Sequence, residues 1–322
     1  KSLSGRVMAY ITDFYEILNE KVVISNDFIR IAKDQSNFFD CYLCQTSKIA
    51  EEISRIVGDS IVSTHIIPPS IPEIMENGPS NELGDSEKVK IAYMGKIALN
   101  WGVVELIEAV IKSGLENEVE VHIIGDKFHN EYLGNETLGE FVDRKSDEYG
   151  FIILHGGMNR DEAINLAKSA DIGWSYRNPE FEKHTLELST KLLEYLAIGL
   201  PVISSRSELN EGILGPDYPL FASNTDELCN LLEEIVRSGA STIGSEGLKE
   251  LVREYTFDSV RKNSIEALIS RIEGENILVS EKKVVINGHD LKFIWEYESH
   301  LKKIGFTVKR DRWGWSDPIN LK

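Results

Sequence analysis

Positive charge is in short supply in this chain of 322 residues: 35 Lys and Arg stand against 53 Asp and Glu, a net charge of -18. A nucleic-acid partner needs a basic face, so that class is set aside, although a local basic pocket for phosphate remains open. Cysteine is also scarce, with only Cys41, Cys44 and Cys229. An odd, low count suits reduced thiols in a cytoplasm, and a disulfide framework is not expected. Cys41 and Cys44 form one CxxC, but no second pair and no histidine cluster accompany it, so a structural role is expected rather than zinc. No apolar run approaches the length that spans a bilayer. The first residue is Lys1 and no signal-peptide pattern follows. The chain is therefore expected to be a piece of something longer.

What is present is an alternation of strands and helices, which specifies parallel sheets covered by helices. Residues 1–75 read as one part. "VMAYITDF" and "FDCYLC" are strands, "NDFIRIAKDQSNF" and "TSKIAEEISRIVG" are helices, and "VSTHIIPPSIP" is a strand running into prolines. The polar Gly/Pro/Ser stretch 76–87 reads as a linker and a domain boundary. Residues 88–272 form a second part. In it "KVKIAYMG", "VEVHIIGD" and "FIILHGG" each end in glycine. In open parallel sheets ligands bind outside those carboxyl ends, and glycine admits close approach to backbone N–H groups. A helical end follows, and its last amphipathic helix, "FDSVRKNSIEALISRIEG", has a face for packing on either part. Residues 283–322 begin again as strand, helix and strand.

"LSTKLLEYLAIGLPVISS" is the most informative stretch. On a helical wheel Leu188, Leu192, Leu193, Leu196 and Ala197 share one side, with Tyr195 at its edge. Glu187, Thr190, Lys191 and Glu194 share the other. Gly199 and Pro201 end the helix. Ser189 is placed as N-cap, with Thr190 and Lys191 in the first turn. Such a terminus suits a phosphate, Lys191 adds a full charge, and Glu194 is of the type that accepts from two sugar hydroxyls. Periodicity alone is equally satisfied by an ordinary solvated helix face.

The stretch "STKLLEYLAIGLPVISS" resembles the signature of retaining glycosyltransferases of the GT-B fold, in the large family 4 group. "KIAYMGKIALNWGVVELIEAV", "VEVHIIGD" and "FIILHGGMNRDEAINLAKSADIGWSYR" resemble the same family's landmarks, in order. The match covers residues 88–206 well and residues 1–75 more loosely. It implies an α/β, GT-B-like fold of Rossmann-type parallel sheets with flanking helices, the amino-terminal domain incomplete. It implies a nucleotide-sugar donor, most readily a UDP-sugar, and a glycan or lipid-linked acceptor, with no separate cofactor and no metal.

By position, Glu194 would hold the ribose, and Ser189 and Thr190 would offer N–H groups to the diphosphate. Gly95 and Lys96 would line the phosphate and sugar, and Gly156 to Met158 would flank the base. Lys96 and Lys191 would stabilise the departing diphosphate. Asp13 sits where the family's amino-terminal strands point at the cleft, and is a candidate catalytic residue.

The chain departs from the pattern in places. Leu186 stands eight residues before Glu194, where the family often has a second glutamate, with Glu182 or Glu187 as substitutes. "NWG" stands for the family's "EKG", so Trp101 replaces a lysine. Residues 283–322 resemble the start of another GT-B amino-terminal domain. They read either as part of a tandem protein or as strands that pack beside residues 1–75. The rival functions are a non-catalytic nucleotide-sugar-binding or scaffolding module and a nucleotide-sugar epimerase of the same fold.

Of the remaining polar residues, His65, His122 and His155 are expected to be structural, and His184 is placed to touch a phosphate. His289 and Asp290 read as an acceptor loop or a polar turn. The tail "KRDRWGWSDP" reads as a short basic, aromatic contact for a lipid surface at the inner face of a membrane, against an otherwise cytoplasmic location.

Overall fold

A computed structural model describes residues 8–11, 14–18, 21–58, 63–73, 83–84, 86–239, 247–274, 282–286 and 306–310. The chain divides into two compact units, residues 1–69 with 258–322, and residues 70–257.

The first unit opens with β1 (Met8–Ile11) and a hairpin of β2 (Tyr15–Leu18) and β3 (Lys21–Ile24). Helix α1 (Asn26–Gln35) is capped by the Ser25 hydroxyl. Strand β4 (Cys41–Cys44), helix α2 (Ser47–Val57), capped by Thr46, and β5 (Ser63–Ile66) follow. The face of α2 formed by Ile49, Ala50, Ile53, Ile56 and Val57 is buried, as its 3.6-residue spacing requires. Both cysteines of the CxxC are free and buried, consistent with a structural role.

The second unit holds a six-stranded sheet: β6 (Val89–Met94), β7 (Val119–Ile124), β10 (Ile152–Gly156), β11 (Ile172–Ser175), β12 (Val202–Ser205) and β13 (Phe221–Ala222). A separate two-stranded ribbon is made by β8 (Tyr132–Leu133) and β9 (Glu136–Thr137). The order β10-β7-β6-β11-β12-β13 is parallel throughout. Counted from β6, that is 3-2-1-4-5-6, the doubly wound order whose direction reverses between the first and fourth strands.

Alternation along β6 builds the two faces. Ile91 and Tyr93 join one core with α3 (Val103–Lys112), α4 (Leu138–Glu148) and α9 (Thr225–Ser238). Ala92 and Met94 join the other with α5 (Arg160–Ala167), α7 (Thr190–Ala197) and α10 (Leu248–Leu251). Two short helices, α6 (Pro179–Glu182) and α8 (Glu208–Leu214), flank β11 and β12.

The boundary differs from the one that composition suggests. Ile71 is 1% exposed, packs with the second core, and exchanges backbone hydrogen bonds with Tyr255 and Phe257. Leu83 packs there too, and its N–H donates to the Ser169 hydroxyl. These apolar anchors place Ile71 and Leu83 in the second unit. Residues 74–82 and 85, most of the expected linker, lie outside the described residues.

The closing helices, α11 (Phe257–Val260) and α12 (Glu266–Gly274), are joined by a π turn. Val260, Ile265 and Leu268 pack with Met8, Tyr10, Cys41 and Leu43. The helical end after residue 257 therefore belongs to the first unit. Strand β14 (Lys282–Ile286) then pairs in parallel with β1, and β15 (Phe306–Arg310) with β14. The first sheet runs β15-β14-β1-β4-β5, so the late strands lie beside the early ones. The helix expected between them, at 291–305, lies outside the described residues, as do Asp13, His289, Asp290 and residues 311–322.

Candidate functional site

The carboxyl end of β6 turns at Gly95, whose φ of 103° is left-handed territory that favours glycine. The Gly95 N–H donates to the Ile124 carbonyl at 2.8 Å. A Cβ at Gly125 would collide with the Gly95 carbonyl oxygen, so two glycine backbones lie directly against each other. Gly125 in turn bridges to Gly156 at the end of β10. Met158 follows, packed on the α5–α7 core. The glycine ends of three strands are thus one continuous surface of backbone.

Helix α7 begins beside that surface. Buried Ser189 caps it, its hydroxyl accepting from the Leu192 N–H and lying 3.1 Å from the Ser175 hydroxyl. The first-turn N–H groups of Thr190 and Lys191 precede the one it satisfies and point out of the helix end. Thr190 is exposed. Deeper in α7, the fully buried Tyr195 hydroxyl donates to the Ala92 carbonyl and accepts from the Met94 N–H. Pairing of β6 with β11 ends at Ala92, and Tyr195 takes over the backbone groups beyond. The tyrosine that the helical wheel puts at the edge of the apolar side is the bolt that holds α7 on the strand end.

Lys191 is half-buried over the glycine turn. Its Nζ donates to the Lys96 carbonyl at 3.1 Å, and lies 3.9 Å from the Tyr93 ring centroid and 4.9 Å from that of Trp101. No carboxylate of the described residues pairs with it. Burial pushes its pKa well below the ordinary lysine value, the Arg177 charge lowers it further, and Glu194 opposes both. A cation held on carbonyl and π faces, short of an anion, is a site for one. Trp101 gives the loop no charge of its own; it supplies a face on which the neighbouring lysine rests. The Lys96 side chain is exposed, and its carbonyl is what meets Lys191.

Glu194 accepts from Arg160 Nε at 2.8 Å and Nη2 at 2.7 Å, both on Oε1. Gly95, Lys96, Gly156, Met158, Ser189, Thr190, Lys191 and Glu194 are thus gathered around three strand ends and the start of α7. Arg160 joins them without having been singled out by sequence reasoning; its only signal was a cation at the first position of a helix.

One substitute for the missing glutamate has other surroundings. Glu182, 2% exposed, accepts from Ser207 and from Asn210, and lies 3.4 Å from Arg177. Desolvation raises its pKa, and it serves the interior behind β12. Leu186 is buried. His184 Nε2 is buried with no hydrogen-bond partner among the described residues. His65 is tied to the Ser264 carbonyl.

His122 and His155 share a 3.0 Å hydrogen bond on neighbouring strands. Burial first, then the His155 charge, lowers the His122 pKa from 6.5 to about 4, with Glu120 opposing. The unfolded chain therefore takes up a proton there that the folded chain refuses. Stability is expected to fall as pH drops from 6.5 towards 4. Urea midpoints measured across that range should show a smaller fall in His122→Gln.

No protein-family model matches the sequence, and no curated protein matches it. Solved structures do match in fold. HepE from Anabaena, in complex with UDP-glucose, superposes with a TM-score of 0.58 at 12% identity, over 82% of this chain and 72% of that one. The GtfA/B complex gives 0.58 at 13% identity, over 84% of this chain and 52% of that one. A glycosyltransferase from Rickettsia africae ESF-5 gives 0.55 at 14%, over 78% and 68%. The chain spans about half the length of the GtfA/B chain it matches. At these identities the likeness is one of fold: the chain has the GT-B fold, with Rossmann-type parallel sheets and flanking helices.

Proposed function

We propose that this chain is a glycosyltransferase that takes a sugar from a nucleotide-sugar donor, a UDP-sugar, and passes it to a glycan or lipid-linked acceptor with retention at the anomeric carbon. The observation that carries this reading is Lys191. It stands half-buried, unpaired with any described carboxylate, at the start of α7 and over the glycine end of β6. That is a seat for a diphosphate. Glu194, about one turn further, is placed for the ribose. Gly156, where a Cβ would meet nothing within 4 Å, leaves room for the nucleotide to lie against the strand ends.

In the reaction the bond between the anomeric carbon and the diphosphate oxygen breaks, and the acceptor oxygen bonds to that carbon. Retention puts the acceptor on the leaving group's side, so its proton passes to the departing diphosphate. Lys191, Lys96 and the first-turn N–H groups of α7 stabilise the charge that grows there. The neighbour solved with UDP-glucose supports the choice of donor.

A second reading, a nucleotide-sugar-binding module without transfer, is favoured by Leu186 and Trp101 where the resemblance expects charges. One experiment separates the two. Calorimetric titration with UDP, GDP, ADP and dTDP is expected to show binding of at least one, UDP foremost, and weaker binding in Glu194→Ala. Binding by none of the four overturns the donor site. Binding of UDP with neither transfer nor hydrolysis of UDP-sugars assigns the chain to the module.

A further inference from the structure

Arg160 occupies the first position of α5, and its place is not explained by its own helix. The N-terminus of a helix is its positive end, where anions are favoured and cations are not. Its neighbours obey that rule: Asn159 caps the helix, Glu162 closes a capping box, and Asp161 lies beside it in the first turn. Arg160 alone runs against it. What it gains is 34 residues away in sequence, the carboxylate of Glu194 on α7.

The geometry of that pair is specific. An arginine and a carboxylate most often meet as two parallel bonds, one to each oxygen. Here both donors converge on Oε1, Nε at 2.8 Å and Nη2 at 2.7 Å. Both lone pairs of Oε1 are therefore engaged, and no described residue donates to Oε2. The two side chains are 23% and 16% exposed, which shields the pair but leaves an edge open. Lys191, one turn earlier, is close enough that the Glu194 charge raises its pKa. The open oxygen therefore lies about one helical turn from the diphosphate seat, with the Gly156 turn and Met158 preceding Arg160 in the chain.

We propose that Arg160 is a positioning residue that fixes Glu194 as a one-oxygen acceptor, making the site select ribonucleotides over 2′-deoxyribonucleotides. This rests on the donor reading above. Oε2 keeps two lone pairs, enough for the vicinal 2′ and 3′ hydroxyls of a ribose. With Oε1 saturated, a ligand lacking the 2′ hydroxyl leaves one of those lone pairs dry. A hydrogen bond to a charged acceptor is lost, which lowers affinity on the order of tenfold to a hundredfold. Without Arg160 the carboxylate rotates and uses either oxygen, and the selection goes.

The test measures calorimetric affinities for UDP and 2′-deoxy-UDP in the wild type, Arg160→Gln and Arg160→Lys. The wild type is expected to prefer UDP by about tenfold or more. Arg160→Gln should bring the two ligands within about twofold, and Arg160→Lys, with charge but a single donor group, should fall between. A merely structural arginine would weaken both ligands together, and an unchanged ratio in Arg160→Gln overturns the proposal. So does a wild type that binds both ligands equally, a result that leaves the donor reading standing. A wild type that binds neither overturns this proposal and the choice of UDP as donor, and the titration with GDP, ADP and dTDP then decides the donor site itself. Should Arg160→Gln not fold, the Arg160→Lys ratio decides alone: equal to wild type, it overturns the proposal.

Discussion

Replacing Lys191 with methionine is expected to lower sugar transfer by about 10²–10³-fold, the scale on which loss of one preorganised group facing developing charge is felt. Methionine keeps much of the apolar stem that lies against Tyr93 and Trp101 while removing the ammonium. The fold should survive, because Tyr195 rather than Lys191 holds α7 to the strand end. Part of the loss should appear as weaker binding of UDP, which calorimetry measures directly.

The wild type carries a further signature. Enclosure lowers the Lys191 pKa, so the ammonium deprotonates below the ordinary lysine range of 10.5. UDP affinity should decline as pH rises through that lowered value, and Lys191→Met should lack the decline. Transfer that stays within twofold of wild type in Lys191→Met would remove the lysine from the mechanism.

Gly173→Ala is expected to destabilise the second unit strongly, through one identified side chain. Gly173 lies within β11 between β6 and β12, and a Cβ there would sit 2.6–2.9 Å from three ring atoms of Tyr195. Those distances are closer than real Cβ contacts allow. The ring has no slack, since its hydroxyl is bonded on both sides to Ala92 and Met94. Overpacking of this kind costs about 1–3 kcal/mol. Displacing the hydroxyl strands a buried carbonyl and N–H, adding about 1–3 kcal/mol. Urea unfolding followed through the fluorescence of buried Trp174, the next residue, measures the sum. In a Tyr195→Leu background the alanine should cost under about 1 kcal/mol, since coupling between touching residues is what a double-mutant cycle isolates. An equal cost in both backgrounds would mean that the ring is not the obstacle.

These two positions show how unevenly the sequence disclosed the site. The glycine-ended strands and the helix at residues 190–197 could be read directly, because each is a local pattern: period two, period 3.6, a capping serine, a terminating glycine. Arg160 could not, because its meaning lies in a partner on another helix. Trp101 was legible as a missing charge, but its place against the Lys191 ammonium depends on the tertiary fold. Tyr195 falls at the edge of the helical wheel yet is fully buried, since β6 leaves two backbone groups for it to satisfy. The domain boundary was misplaced for a related reason. The stretch at 76–87 is polar on average, but Ile71 before it and Leu83 within it are buried, and single apolar anchors outweigh mean composition. The hairpin of β2 and β3 carries no turn signal in the sequence, because Asn19 and Glu20 between its strands do not form a recognised hairpin-turn pair.

The first unit's sheet is threaded from both halves of the chain, with β1 lying between β4 and β14. A ribosome delivers β14 only some 270 residues after β1. Until then the β14 side of β1 is an open edge, a template for any strand that meets it. The second unit, continuous from residue 70 to 257, is whole before β14, one of the two partner strands of β1, exists. The order of assembly is thereby imposed: the 70–257 unit first, then closure of the first sheet around a very long loop. Any deletion that removes β14 turns a central strand into a sticky border, and its consequence would be felt as self-association rather than as a change at the donor site.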